Sequence, residues 1–418
     1  MTHSCFPDPA SNPGTGGGAL EGLRVIDMTQ MLAGPYASML LADHGAEVIK
    51  IEPLAGDYVR GIGPFREDDA LRVYGGYFQS VNRNKLSVSI DLKSPRGRQI
   101  VLDLVKSADV LVENFRSGVM DRLGLSYETL AAINPRLVYG AVRGYGDPRT
   151  GSSPQVDWPA YDVIAQAMGG VMGITGADPH SPMKVGPGVG DIVPAMFCAF
   201  GVLAAVYRAQ RTGQGQFVDV SMVDSVLALC ERIVYQYAYQ GKVAGPEGNR
   251  HPFLTPFGIV PCRDGHIALA CHTDAFWASL CSLMGRPELA ADARFQTEEA
   301  RRSNAPATYE VVAEFTLPRS KRELVEILGG KIPFGPIYTI EDIRESPHFA
   351  ARGMIVEVDH PGVPQPVEIA GVPVHMTATP GGVRRRAPLL SEHAPQVLAG
   401  IGIDADELAS LRAAGVVG

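Results

Sequence analysis

Between residues 23 and 146 the chain alternates short β-branched runs with stretches of helical period, and that alternation admits few folds. LRVIDMT (23–29) reads as a strand, AGPYASMLLADHG (33–45) as a helix with Pro35 in its first turn, and AEVIKIEP (46–53) as the next strand. LSVSIDL (86–92), a helix over about 95–107, ADVLVENF (108–115), the helix SYETLAAINP (126–135) and RLVYGAVRGYG (136–146) continue the series. Apolar strands separated by helices predict a parallel sheet wrapped on both faces, an α/β domain.

Farther along, GPGVGDIVPAMFCAFGVLAAV (186–206) opens a long apolar helix. It is expected over 191–211, with Arg208 and Arg211 at its negative end and Gly213 and Gly215 stopping it. QFVDVSM (216–222) is a strand, and 223–239 a second long helix. After GKVAGPEGNRHP (241–252) the texture changes: PFGIVPCRDGHIALAC (256–271) reads as a hairpin about Asp264-Gly265, followed by a helix near 276–284. The strands MIVEVDHP (354–361) and VEIAGVPVHM (367–376) and a helix near 404–414 return the chain to the first domain. The expected organisation is a flexible leader (1–20), a large domain (21–222), a linker helix (223–247), a small α+β domain (248–325), and a linker and return to the large domain (326–418).

Composition narrows the function. A length of 418 residues fits about two domains. A net charge of −8 argues against nucleic acid, so an anionic ligand must meet a local basic cluster. The six cysteines form no CxxC pair and read as reduced and structural. No cationic region followed by an apolar stretch opens the chain, and GTGGG (14–18) is not a phosphate loop. The apolar run 192–206 is shorter than a bilayer span, so no membrane is expected and the cytoplasm is the default location.

Asp191 is the leading candidate for chemistry. A glycine-rich approach delivers this carboxylate to a helix start, where backbone N–H groups and scarce water tune nucleophilicity and pKa. Asp is also a preferred N-cap, so a purely capping role stays open. Lys50, Arg60, Arg83, Lys85, Arg116, Arg122 and Arg143 lie near strand ends, where doubly wound sheets bind ligands, and they are read as an anion-site cluster. The first strand-to-helix turn, MTQMLAGPYAS, lacks GxGxxG, which argues against a dinucleotide cofactor. HExxH and GxSxG are absent, and His251, His266 and His272 match no ligand spacing, so no metal is expected.

The segments MTQMLAGPYASMLLADHGAEVIKIEP, NRNKLSVSIDLKSPRGR, ADVLVENFRSGVMDRLGLSYETLAAINPRLVYGAVRGYG, YDVIAQAMGGVMGITG, GVGDIVPAMFCAFGVLAAVYRAQRTGQGQFVDVSM and LLSEHAPQVLAGIG together resemble the class III coenzyme A transferases over about residues 20–405. That resemblance implies a Rossmann-like large domain, a small domain and two interlocked chains in a homodimer. It implies acyl-CoA:carboxylate CoA transfer, with coenzyme A as substrate and product and with Asp191 of the Gly190-Asp191 step passing through anhydride and thioester intermediates. Carried over residue by residue, it places Leu32, Ala33, Ile90, Asn114, Phe115, Arg116, Arg122 and Arg143 around CoA. Tyr161 stands where superfamily racemases carry histidine, which favours transfer over the alternative of an acyl-CoA racemase or epimerase, while Asp191 in its Gly-Asp step disfavours the other alternative, a non-catalytic CoA-binding partner subunit. Formyl-CoA:oxalate members have glutamine at the position of Leu32 and arginine at that of Pro53, and their mobile glycine-rich loop is replaced by GPEGNRHPFLTP. The acceptor is expected to be a carboxylic acid, a dicarboxylic one if Arg60 or Arg250 meets a second carboxylate.

Overall fold

The computed structural model describes residues 18–418; Cys5 and most of the expected leader lie outside the described residues. The strands read from the sequence form β1 (Arg24–Met28), β2 (Glu47–Glu52), β3 (Leu86–Ser89), β4 (Val110–Glu113), β5 (Val138–Arg143) and β6 (Phe217–Ser221). They make one six-stranded sheet in the order β3-β2-β1-β4-β5-β6. Every neighbouring pair is parallel, with Ile26 opposite Ile49 on one side and Leu111 on the other. Buried on both faces, the strands carry Ile26, Ile49, Val88, Leu111 and Tyr139 at no more than 1% exposure, as a sheet covered by helices requires. The order reverses between β1 and β4, the switch point at which such sheets open a crevice beyond the strands' carboxyl ends.

The described chain divides into two compact units. One holds the sheet and comprises residues up to Val171, Val185–Tyr235 and Pro347–Gly418. The other comprises Met172–Lys184 and Gln236–Ser346. In the second unit β7 (Phe257–Cys262), β8 (Gly265–Ala270) and β9 (Phe334–Pro336) pair antiparallel over a core that includes Trp277, Phe295 and Leu324. The hairpin turns through Arg263 and Asp264, one residue earlier than expected.

The strands Ile355–Val358 and Val367–Ala370 pair only with each other, as a two-stranded sheet in the first unit. Two further departures come from features that periodicity does not carry. The long helix spans Val189–Thr212, starting two residues before Asp191, and is capped by Gly213 at φ 73°. At 24 residues it is long and apolar enough to cross a membrane, unlike the shorter run read from the sequence. Here Cys198, Val202 and Ala205 are buried in the first unit, whose strand β5 the helix packs against. The second expected helix is two, Met222–Leu229 and Glu231–Gln240, broken at Cys230, where no proline or glycine marks the turn.

Candidate active site

Asp191 is the third residue of its helix, not the cap; the cap position is Gly188, which has no side chain to offer. Its carboxylate makes no hydrogen bond or ion pair among the described residues. Burial, with the negative charge of Asp162 nearby, pushes it from 3.8 up to about 7. Asp162, which the sequence reading did not single out, does the capping: its Oδ1 accepts the Gly190 N–H at 2.8 Å and is held by Gln166 Nε2 at 2.9 Å. The Gly-Asp step has a steric cause. A Cβ on Gly190 would stand 2.4 Å from the Asp162 carbonyl oxygen, a backbone atom that cannot swing away.

The loop after β1 is held without glycines. Thr29 N–H donates to Asp27 Oδ1 at 2.8 Å, and Lys50 Nζ donates to the Thr29 carbonyl at 2.7 Å. Asn114 brackets Gln30, accepting its N–H at 2.9 Å and donating to its carbonyl at 2.7 Å. Asp57 Oδ1 accepts the Met31 N–H at 3.3 Å, steadying a residue at φ 68°, where a side chain is strained. Side chains from four places thus satisfy a loop that a dinucleotide fold would build from glycines. Beneath it, burial alone would raise the Asp27 carboxylate, but Lys85 and Lys50 bring it down to about 2. Asn114 therefore steadies the loop through its amide while also lining the cleft.

Most of the expected basic cluster is internal. Lys50 pairs with Asp57 at 3.0 Å, Arg60 with Glu52 at 2.7 Å, Arg83 with Asp43 at 2.8 Å and Lys85 with Asp27 at 2.9 Å, all buried. Arg60 also donates to the Pro388 carbonyl, so it has no charge to spare for a substrate carboxylate. Arg143 is buried between Glu113, at 2.5 Å, and Asp147. Arg250 belongs to the second unit and lies over the Tyr309 ring, 4.5 Å from its centroid. Arg116, Arg122 and Lys93 make no ion pair among the described residues. Lys93, directly after the expected strand 86–92, was missed although the strand-end signal covers it.

A cleft of about 150 Å³ opens at the switch point, lined by Gln30, Leu32, Ala33, Asn114, Phe115, Arg116, Arg143, Tyr161 and Asp191 among others. Asp191 is the one carboxylate on it. Tyr161, 60% exposed, precedes the helix Asp162–Met168, and Tyr77 reaches close enough for the Asp191 charge to help burial hold its hydroxyl up at about 12. A second cavity of about 350 Å³ shares Gln30 and Phe115 with the cleft and is lined by Ile90, Leu92, Lys93 and Leu123. Sequence reading placed Ile90 beside the other expected CoA contacts; the fold sets it in this second cavity, away from the one that holds Asp191.

Fold and site define an α/β enzyme with a single underpaired carboxylate facing a cleft at the sheet's switch point. Residues 20–394 match the model of CoA-transferase family III, and the chain belongs to that family. A succinyl-CoA:mesaconate CoA-transferase of Haloarcula hispanica is 46% identical over 398 residues, covering 94% of this chain and 99% of the relative. A succinate–glutarate CoA-transferase of Agrobacterium fabrum is 37% identical, over 91% of this chain and 95% of the relative. The crystal structure of a CaiB/BaiF family protein from Brucella suis matches with a TM-score of 0.82 at 33% identity, covering 92% of this chain and all of that one. The reaction class is acyl-CoA:carboxylate CoA transfer.

Proposed function

We propose that Asp191 is the nucleophile of this transfer. The observation that carries the reading is that the cleft's one carboxylate is also the one that burial raises to about 7, making it a stronger base and nucleophile than an ordinary aspartate. Its Oδ attacks the acyl carbonyl, the C–S bond breaks, and CoA thiolate leaves an acyl-aspartyl anhydride. The thiolate then attacks the aspartyl carbonyl and expels the donor acid, giving an aspartyl-CoA thioester. The acceptor carboxylate displaces CoA to form a second anhydride, and thiolate attack on the acceptor's carbonyl releases the new acyl-CoA and the free carboxylate. Both ends of the exchange are thioesters, so no step needs a metal or nucleotide cofactor. Incubation with succinyl-CoA alone should leave CoA, or after hydroxylamine a hydroxamate, on the peptide containing Asp191. A label found on any other residue would overturn the assignment.

CoA is placed with its thioester at Asp191 and its adenosine end in the cavity of Ile90 and Phe115, its phosphates facing Arg116, Arg122 and Lys93. The shared wall of the two cavities, with Arg116 lining the cleft and Lys93 the second cavity and neither paired with a carboxylate among the described residues, supports this path. Arg116→Ala and Lys93→Ala should each raise KM for acyl-CoA by about 10-fold at low salt and less at high salt, leaving kcat within about twofold. A kcat loss with unchanged KM would remove them from the CoA path.

An interlocked homodimer is part of the same proposal, as is the two-domain organisation with a small domain near 248–325. Along the Val189–Thr212 helix, Met196, Phe197, Phe200, Leu203 and Tyr207 form an exposed apolar stripe, with Phe200 74% exposed, a surface a partner chain would cover. Phe200→Glu should shift the sedimentation coefficient from dimer to monomer; a wild-type monomer would sink the idea. We assign the enzyme to the cytoplasm, which fractionation tests by the share recovered in the soluble fraction.

A further inference from the structure

Gln166 lies on the helix Asp162–Met168 with no solvent exposure, and both polar atoms of its side chain are spent on the chain around Asp191. Its Nε2 donates to Asp162 Oδ1 and Oδ2, both at 2.9 Å, and to the Pro187 carbonyl at 3.4 Å. Its Oε1 accepts the Val185 N–H at 3.0 Å. Asp162 passes the grip on, since its Oδ1 also accepts the N–H of Gly190, the residue before Asp191. One buried amide thus meets the approach to the catalytic helix directly at Val185 and Pro187, and at Gly190 through a carboxylate.

That approach has little rigidity of its own. GPGVG (186–190) holds Gly186, Gly188 and Gly190, and glycine leaves the backbone more freedom than any other residue. The first bonds of the helix, from the Asp191 and Ile192 N–H groups to the Gly188 carbonyl at 3.1 and 2.8 Å, tie Asp191 to this same segment and pass on whatever freedom it has. Transfer makes heavy use of placement here. The Asp191 carboxylate meets an acyl carbonyl, then carries an acyl group or CoA while its own carbon is attacked, and a displacement of about 1 Å at a reacting atom costs about 100-fold in rate.

We propose that Gln166 is a positioning residue for Asp191, fixing Asp162 and the 185–190 segment so that the Asp191 carboxylate meets the cleft in one orientation. Buried and absent from the cleft walls, Gln166 touches no substrate itself. Its residue type follows from hydrogen-bond polarity. Facing an acceptor-only carboxylate and an N–H at once takes a side chain with a donor and an acceptor on one plane, which an amide supplies and a carboxylate or an apolar chain of similar size does not.

The inference rests on Asp191 as the nucleophile, and the test separates the two. The readout is the rate at which succinyl-CoA labels the Asp191 peptide at pH 8, with its saturating value and its half-saturating concentration, in variants that circular dichroism shows folded. Gln166→Glu keeps the acceptor for Val185 but sets a second carboxylate against Asp162. It should slow saturated labelling by at least about 10-fold and leave half-saturation within about twofold. Asp162→Asn sets amide against amide and should also be slow. The two changes together reverse the polarity of the contact, the new amide donating to the new carboxylate while still accepting from Gly190, and should return the rate to within about threefold of the unaltered enzyme. Gln166→Met, which fills the space without polar atoms, should be slow with or without Asp162→Asn. If Gln166→Glu alone does not fold, the double variant against Asp162→Asn carries the same comparison. Unaltered labelling in Gln166→Met, a loss of rate matched by a rise in half-saturation, or a double variant no faster than Asp162→Asn would overturn the positioning role. An unaltered enzyme that carries no label on the Asp191 peptide would overturn the nucleophile reading, and this inference with it.

Discussion

Replacing Asp191 by asparagine should abolish transfer and, at the same time, make the protein more stable at pH 8. Without the nucleophile neither anhydride nor thioester can form, and turnover should fall by at least about 10⁴-fold. The stability effect follows from the raised pKa. An aspartate at 3.8 in the unfolded chain and about 7 in the fold binds its proton more tightly when native. Stability is therefore unaffected below pH 4, declines as pH rises from 4 to 7, and carries the full cost above 7, up to about 4 kcal/mol. Asparagine removes that slope. Urea midpoints of the two proteins should coincide at pH 4 and diverge by pH 8, with the variant higher. For the unaltered enzyme the same pKa predicts a kcat/KM for acyl-CoA that drops about tenfold per unit below pH 7, since only the ionised carboxylate attacks. A variant less stable than its parent at pH 8, or a rate profile flat from pH 5 to 8, would contradict the assignment.

How far the sequence carried the site depended on whether the signal was local. The alternation of strands and helices is written in each segment, so β1 to β6 are legible to within three residues; their order is not, because pairing β1 with both β2 and β4 is a matter of partners outside each segment. The Gly190-Asp191 step is visible as a motif, yet its cause, the approach of the Asp162 carbonyl, is a contact across 28 residues. Basic residues misled for the same reason. Lys50, Arg60, Arg83 and Lys85 look like surface cations in a string of letters, and only the fold shows the carboxylates that neutralise them, such as Asp43 for Arg83 at a separation of 40 residues. Charges at strand ends are thus split between a buried frame and a free minority, Arg116, Arg122 and Lys93, and nothing in residue type separates the two.

That buried frame gives the second large effect. Asp57→Ala should cost about 1.5–3 kcal/mol of stability, because it removes the carboxylate paired with the fully buried Lys50 ammonium, which keeps the Thr29 carbonyl as a hydrogen-bond partner and the charges of Asp27 and Glu52 nearby. The same change frees the Met31 N–H, and a non-glycine residue at φ 68° without that anchor relaxes toward an ordinary conformation. Gln30, Met31, Leu32 and Ala33 all line the cleft, so the loss reaches substrate: KM for acyl-CoA should rise severalfold under conditions where circular dichroism shows the variant folded. Lys50→Met together with Asp57→Ala removes both charges and should be less destabilising than either change alone, as an ion pair whose desolvation cost rivals its attraction requires. The double variant should still show the raised KM, since Met31 remains unanchored in it. If stability returns and KM returns with it, the loop needs only the charge balance; if single and double changes simply add, Asp57 and Lys50 are not a coupled pair and the frame assigned to them does not exist.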